Sequence, residues 1–168
     1  PKKKKTPTEG DLPVWKDQKS AVSILGLIPG MAVHYAGCCH PLPGDRIVGI
    51  IMSGRGVTIH TYDCDMLKNF SEEPERWLDL AWAGEQDKQK HVGRLHIVAI
   101  NKQGMLANLT TIISKNMGNI VNLKITNRSE SFFDMDIDLE VKNAEHLSEI
   151  VASLRTSSFV HTVDRARQ

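Results

Sequence analysis

The chain has 168 residues, of which 40% are hydrophobic and 5% aromatic, and its formal net charge is +1. This length suits one medium domain or two small ones with mainly aliphatic cores. The charge gives no global sign of a nucleic-acid binder, and no apolar run is long enough to predict a membrane span. Three cysteines without a signal peptide predict a reducing, cytoplasmic setting with no membrane partner.

Residues 1–19 are polar, contain three prolines and show no periodicity, so we expect a linker or tail. A chain that begins in this way is interpreted as a piece of a longer protein. The lysines at 2–5 are typical of a solvated tail, and contact with RNA or an acidic surface is the alternative. Residues 21–28 form a short apolar run that we expect to pack against the next module.

Residues 20–83 are predicted to form a cysteine-containing module that is rich in β-structure from residue 31. The predicted elements are strands at 31–36, 46–52, 57–61 and 76–82 and a short helix at 64–70. The two middle strands should form a β-hairpin, and Asp63 should cap the helix. A module of about fifty residues is marginal for an independent core, so a metal ion or a partner would stabilise it.

Four side chains in this module are of the types that zinc prefers, namely Cys38, Cys39, His60 and Cys64. His60 and Cys64 can meet across a turn. Cys38 and Cys39 are adjacent, and neighbours on an extended chain point to opposite faces. The pattern therefore leaves two alternatives, a structural zinc site or a reduced module that packs without metal.

Residues 84–92 are polar and are predicted to be a linker, and residues 93–168 a second domain. The predicted elements are strands at 95–100, 120–127, 133–141 and 159–166, one helix at 105–116, and another that starts at Asn143. Gly118 and Asn119 should end the first helix. The order β-α-β-β-α-β predicts a ferredoxin-like two-layer sandwich, and the fold class of the whole chain is α+β.

Two features together resemble a known family. The motif CCHPLPGDRIVGI…GRGVTIH…DC resembles the conserved-cysteine, zinc-finger-like module in the C-terminal half of long Rel/SpoT-family (p)ppGpp synthetase-hydrolases. The βαββαβ unit, with its turn at 101–104 followed by Met-Leu, resembles the ACT domain that closes those proteins. The resemblance covers residues from about 20 to 168. The sequence shows no hydrolase or synthetase motif, which implies a regulatory region of a GTP pyrophosphokinase/(p)ppGpp hydrolase and not an enzyme by itself.

The resemblance implies that the ACT domain forms a homodimer and binds a free amino acid at the interface. The turn at 101–104 opens a helix, whose free amides and positive dipole end suit a carboxylate. Met105, Leu106 and Ile120 would line an apolar pocket suited to valine, isoleucine or leucine. The candidate amino-acid-binding residues are Asn101, Gly104, Met105, Leu106, Ala107, Asn119, Ile120 and Asn122. The alternative for each is a plain turn or core role.

The resemblance further implies allosteric control of the stringent response, with ribosomal RNA, tRNA and the catalytic half of the same chain as partners. Within residues 31–64, Arg46 and Arg55 are balanced by Asp45 and Asp63, so RNA contact would be local and dependent on shape. Arg55, at the hairpin tip, is the candidate RNA-binding residue, and a solvated turn is its alternative. The alternative function is a ribosome-docking module without a small ligand. A zinc-dependent nucleic-acid module is a third hypothesis.

Overall fold

The structure is a computed structural model that describes residues 24–83 and 90–166. Its two units are a five-stranded sheet formed by the first part of the chain and a four-stranded sheet with two helices formed by the second. The predicted linker at 1–19 and most of the predicted linker at 84–92 lie outside the described residues. Within the two described ranges, neither α-helix has the length and hydropathy needed to span a membrane.

The first unit is built from short β-branched runs. Its strands are β1 (Ile24–Leu25), β2 (Val33–Tyr35), β3 (Ile47–Met52), β4 (Gly56–Thr61) and β5 (Trp77–Trp82). They lie in the order β1-β5-β3-β4-β2, and β2 pairs parallel to β4 while the other pairs are antiparallel. The predicted hairpin is therefore present as β3 and β4. Alternation along both strands buries one set of side chains on each face, and one of the two resulting cores contains Cys39 and Cys64.

The predicted helix after the hairpin is a 3₁₀ helix, Asp65–Phe70, and a second short one follows at Pro74–Arg76. The N-cap position of the first 3₁₀ helix is Cys64, so the prediction that Asp63 occupies that position was wrong. The chain turns first through a bond from the Cys64 amide to the Thr61 carbonyl, which moves the helix start by one residue. The shift places the Cys64 side chain in the core.

The second unit has the predicted order β-α-β-β-α-β. Its elements are β6 (His91–Ile100), α1 (Met105–Lys115), β7 (Asn119–Arg128), β8 (Phe132–Val141), α2 (Ala144–Arg155) and β9 (Val160–Arg165). The sheet order β7-β8-β6-β9 is antiparallel throughout and places β7 and β9 at its edges. Strand β6 begins at His91, earlier than the predicted residue 95, and pairs with Val141 from that point.

A single aliphatic core joins this sheet to its helices. Alternate residues of β8 enter it, as the sequence predicted, and Met135, Ile137 and Leu139 are completely buried. Leu109 and Ile113 of α1 pack there with the apolar stripe of α2. Asn143 caps α2 by accepting a bond of 2.8 Å from the His146 amide.

The end of α1 differs from the prediction. Met117, not Gly118, adopts the left-handed conformation, with φ of 63°. The Met117 amide bonds to Ser114 and the Gly118 amide to Ile113, which is a Schellman arrangement. Gly118 is instead required for packing, because a Cβ atom there would lie 2.9 Å from Ile150 Cδ1.

Candidate functional sites

A turn brings the adjacent cysteines to one side. Residues 37–39 form this turn, which is closed by a bond of 3.0 Å from the His40 amide to the Ala36 carbonyl. The expectation that Cys38 and Cys39 point to opposite faces assumed an extended chain and was wrong. Strand β4 supplies His60, and the start of the 3₁₀ helix supplies Cys64. These four residues are called the cysteine cluster below.

The geometry of the cysteine cluster fits a tetrahedral ion. Its four donor atoms all lie within 4.8 Å of one another. Cys38 Sγ is 3.5 Å from both Cys64 Sγ and His60 Nδ1, and Cys39 Sγ is 3.9 Å from the same nitrogen. Zinc bonded to sulfur at about 2.3 Å and to nitrogen at about 2.0 Å would separate two sulfurs by roughly 3.8 Å and a sulfur from a nitrogen by roughly 3.5 Å. The residues present therefore fit zinc.

Burial favours the neutral forms of the side chains in the cysteine cluster. Burial, with the hydrogen bond to Cys64, raises the pKa of the Cys38 thiol to about 12. Burial also raises the pKa of Cys39 and lowers that of His60. The imidazole is consequently in its neutral, metal-binding form, while a bound divalent cation would reverse the thiol shifts by stabilising thiolates.

Thr61 supports the cluster from behind, a role that sequence reasoning did not predict. Its amide donates to Cys39 Sγ at 3.3 Å, and its hydroxyl is buried without a hydrogen-bond partner among the described residues. The backbone hydrogen bond from Thr61 lowers the pKa of Cys39 and so opposes the larger effect of burial, which raises it. A donor behind a ligating sulfur fixes its orientation and tunes its charge. The only signal in the sequence is that Thr61 follows His60.

An apolar cavity of about 370 Å³ lies at the start of α1. The helix side is formed by Gly104, Met105, Leu106 and Ala107, all predicted site residues. The rest of the lining is formed by residues that were not predicted to belong to the site, namely Lys102, Leu123, Ile125, Phe133 and Met135. All of these except Lys102, which lies on the turn before α1, could have been found from the period of two along β7 and β8, which directs alternate side chains toward the helices. The cavity is called the ACT cavity below.

The start of α1 provides donors beside this cavity. Gly104 is the N-cap, with φ of 85°, and the Met105 amide bonds back to Lys102. The amides of Leu106 and Ala107 belong to the first turn, where a helix supplies no backbone acceptors. Together with the helix dipole and the Lys102 ammonium, they favour an anion at this end of the cavity.

The other predicted amino-acid-binding residues do not line the ACT cavity. Asn101 donates its side-chain amide to the Ser129 carbonyl, and that bond does not use its Oδ1. Asn119 donates to Glu140 at 2.7 Å, and Asn122 lies 3.5 Å from Asp138. Ile120 packs against the core of the second unit. Asn119, Ile120 and Asn122 all belong to β7, an edge strand of the sheet.

Arg55 lies exposed on the turn of the β3–β4 hairpin, as predicted. Its carbonyl is 3.0 Å from His34 Nε2, which ties the turn to β2. A second arginine, Arg46, holds its guanidinium 4.5 Å from the centre of the exposed Tyr62 ring. The other lysine and arginine side chains described in the first unit, Lys68 and Arg76, are paired with Asp65 and Glu73.

Family models and relatives agree with this architecture. Residues 22–83 match the RelA/SpoT RIS domain, and residues 87–165 match an ACT domain. The GTP pyrophosphokinase rsh of Brucella ovis is 36% identical over 153 residues, which cover 89% of this chain and 20% of the relative. The bifunctional (p)ppGpp synthase/hydrolase SpoT of Escherichia coli K12 is 30% identical over 138 residues, which cover 82% of this chain and 20% of that relative. The chain thus spans about a fifth of these curated relatives.

Among solved structures, the ACT domain from the GTP pyrophosphokinase of Chlorobium tepidum matches with 30% identity and a TM-score of 0.41, covering 46% of this chain and 99% of that one.

The topology and the family models define a regulatory region in which a cysteine-bearing RIS module is followed by an ACT domain. The chain belongs to the Rel/SpoT family, and the similarity lies in its regulatory domains and not in the catalytic ones.

Proposed function

We propose that the ACT domain is an amino-acid sensor and that its ligand is valine, isoleucine or leucine. The observation that carries this proposal is the ACT cavity, in which an apolar chamber opens beside the first turn of a helix. A free amino acid with an aliphatic side chain matches both parts. Its carboxylate would accept from the Leu106 and Ala107 amides near Lys102, while its side chain would fill the space beside Leu123 and Met135.

The ligand ammonium requires hydrogen-bond acceptors, and the side chains that line the cavity offer no oxygen or nitrogen acceptor. Asn101 Oδ1, on the turn before α1, is one candidate. The proposed homodimer would supply others, because β7 is an edge strand with an unpaired side, and its Val121 and Ile125 are about half exposed. Pairing of β7 with its copy would bring Asn119, Ile120 and Asn122 to the interface, where the family resemblance places the ligand.

The test is calorimetric titration of the chain with each of the twenty amino acids. Ala107→Asp places a carboxylate in the first turn of α1, where it stabilises the helix but competes with the ligand carboxylate. Ala152→Asp, on an exposed face of α2, adds the same charge away from the cavity. Selective binding of a branched-chain amino acid that Ala107→Asp abolishes and Ala152→Asp retains supports the proposal. If none of the twenty amino acids binds to a folded, dimeric protein, the proposal is overturned.

In the full-length protein, this binding would shift the balance between (p)ppGpp synthesis and hydrolysis. Such a shift requires the ligand to bind one state of the enzyme more tightly than the other. An abundant amino acid is expected to favour hydrolysis, since it signals adequate supply. Assaying both activities of the full-length protein with and without the ligand tests this step, and an unchanged ratio contradicts it.

We also infer that the cysteine cluster binds zinc. The support is the fit of four buried or half-buried donors to tetrahedral distances. The ion would add stability to a module with a small core. Metal analysis of purified protein should give one zinc per chain, and Cys39→Ser should lose it. A metal content near zero after folding in excess zinc contradicts the inference.

RNA contact by the first unit is the second candidate function, favoured by the exposed Arg55 and by Arg46 stacked on Tyr62. Arginine beside an exposed aromatic ring suits an unpaired base and its phosphate. Arg55→Gln should weaken binding to ribosomal RNA and lower the magnitude of the salt slope by about 0.7. Lys68→Gln, at an exposed lysine paired with Asp65, is the control. Equal effects of both substitutions would exclude a specific role for Arg55.

A further inference from the structure

We propose that ion binding at the cysteine cluster and attachment of the ACT domain are coupled, so that each strengthens the other. The coupling element is the docking loop, residues 40–46, which leaves the cluster and enters the ACT domain. This inference rests on the proposed zinc site and is independent of the proposed amino-acid ligand.

The docking loop begins at the cluster itself. Cys39 is buried and held by the Thr61 amide, and His40 follows it directly. His40 adopts a left-handed conformation with φ of 46°, which is uncommon for a residue other than glycine. This conformation turns its carbonyl toward the ACT domain, where Arg165 Nη2 donates to it at 2.9 Å. One side of His40 thus touches the cluster and the other touches β9.

The middle of the loop enters the ACT core. Leu42 is completely buried and packs with the core of the second unit, although it precedes that unit by about fifty residues in the chain. Gly93 makes room for it, because a Cβ atom at that position would lie 3.2 Å from Leu42 Cδ1. The next carbonyl, that of Pro43, accepts from the Ala144 amide at 2.8 Å. The loop thereby satisfies a donor in the first turn of α2.

The end of the loop is fixed by an ion pair. Asp45 accepts from both terminal nitrogens of Arg165, at 2.7 and 2.6 Å, and also from the Leu42 amide at 2.7 Å. The two side chains are only 14% and 18% exposed. A bidentate pair of this kind fixes orientation as well as distance. Arg165 therefore holds both ends of the loop, His40 and Asp45.

The loop is too short and too stiff to let its ends move independently. Only His40 and Pro41 separate Cys39 from Leu42, and Pro41 and Pro43 have restricted φ angles. An ion that fixes Cys39 therefore also fixes the position from which Leu42 enters the ACT core. A docked Leu42 and Asp45 conversely hold Cys39 beside its three partner ligands. Thermodynamic linkage requires the two effects to be equal in size.

The first test measures zinc affinity by competition with a chromophoric chelator. Leu42→Ala and Arg165→Met should each lower the affinity for zinc by about fivefold or more, the lower end of typical coupling between sites. Leu25→Ala removes an exposed leucine, and Arg155→Met removes an arginine with a side chain that is 62% exposed. These two controls should leave the affinity unchanged. Circular dichroism establishes that each variant is folded.

The second test needs no variant. Zinc should slow hydrogen exchange at the Ala144 amide, which bonds to the docking loop, and chelation should restore fast exchange. The coupling is overturned, and the zinc site stands, under two joint results. Zinc binds wild type, Leu42→Ala and Arg165→Met with equal affinity, and it leaves the exchange rate of the Ala144 amide unchanged. Failure of the wild type to bind zinc overturns both the zinc site and the coupling, and the amino-acid titration remains unaffected.

Discussion

Two glycines of the β3–β4 hairpin should respond very differently to the same substitution. Gly54 and Gly56 both have positive φ, 73° and 93°. A Cβ atom at Gly54 would meet nothing within 4 Å, whereas at Gly56 it would collide with the Ala32 carbonyl oxygen on the neighbouring chain segment. Gly54→Ala therefore measures backbone strain alone, and Gly56→Ala adds a clash with the backbone that leads into β2.

The difference in the free energy of unfolding between the two variants follows from the contacts that β2 would lose. An alanine in the left-handed region costs about 1–2 kcal/mol, partly offset by a stiffer unfolded chain, so Gly54→Ala should cost about 1 kcal/mol. Gly56→Ala also breaks the bond of 2.8 Å from the Val57 amide to the Ala32 carbonyl. An unpaired buried amide costs about 1–3 kcal/mol, and displacement of β2 disturbs the packing of Ala36 and Cys39 as well. We expect a total of about 3–5 kcal/mol.

Urea denaturation followed by tryptophan fluorescence measures both variants, since Trp77 and Trp82 lie on β5 of the same sheet. Zinc affinity provides a second readout, because β2 leads directly into the turn that carries Cys38. Gly56→Ala should weaken zinc binding, and Gly54→Ala should not. Equal destabilisation of the two variants, within about 0.5 kcal/mol, would refute the reasoning, because it would mean that β2 is not held against the hairpin as described.

Three further predictions concern the ACT domain. The Arg94 guanidinium lowers the pKa of Asp138 below its ordinary value of 3.8, so this pair stabilises the fold above that pH and loses its contribution as the pH falls through the lower, folded value. Asp138→Asn should flatten the acid limb of stability against pH, and an unchanged acid limb would contradict this role of the pair. Asn143→Ala removes the α2 cap and should cost about 1 kcal/mol by thermal denaturation, and retained stability would show that the cap is dispensable. Met117→Gly relieves left-handed strain at an exposed position and should stabilise by about 0.5–1 kcal/mol, whereas Met117→Ala should have little effect.

Sequence reasoning succeeded where structure follows local periodicity. The alternation of Phe133, Met135, Ile137, Leu139 and Val141 against acids predicted both the strand and its buried face. The order of elements in the second unit followed from the same signal. In the candidate site, Gly104 and the three residues after it lie beside one cavity, and their proximity follows from a helix start, which is a local feature. Their role in amino-acid binding stays a prediction.

Sequence reasoning failed where packing or a turn of the backbone sets the position of a residue. Leu42 looks like one residue of a proline-rich turn, and only the folded chain shows that its pocket lies beside Gly93. The adjacent cysteines converge because the Ala36 carbonyl closes a turn under them. Met117 adopts the conformation expected of Gly118, and glycine is needed at 118 for a different reason, because Ile150 and Ile113 leave no room there for a side chain. The errors at Leu42 and Gly118 come from packing between residues that are remote in sequence. The error at the cysteines comes from assuming an extended chain where the backbone forms a local turn.

The most direct test of the amino-acid-binding proposal is methyl-resolved NMR of the chain during titration with valine, isoleucine and leucine. Binding in the ACT cavity should shift the methyl resonances of Met105, Leu123, Ile125 and Met135 with one common saturation curve. The methyls of Ile50 and Ile59, buried in the RIS module, should remain unchanged by the ligand. Saturating ligand that leaves the cavity methyls unshifted, or that shifts only methyls elsewhere, contradicts the proposal.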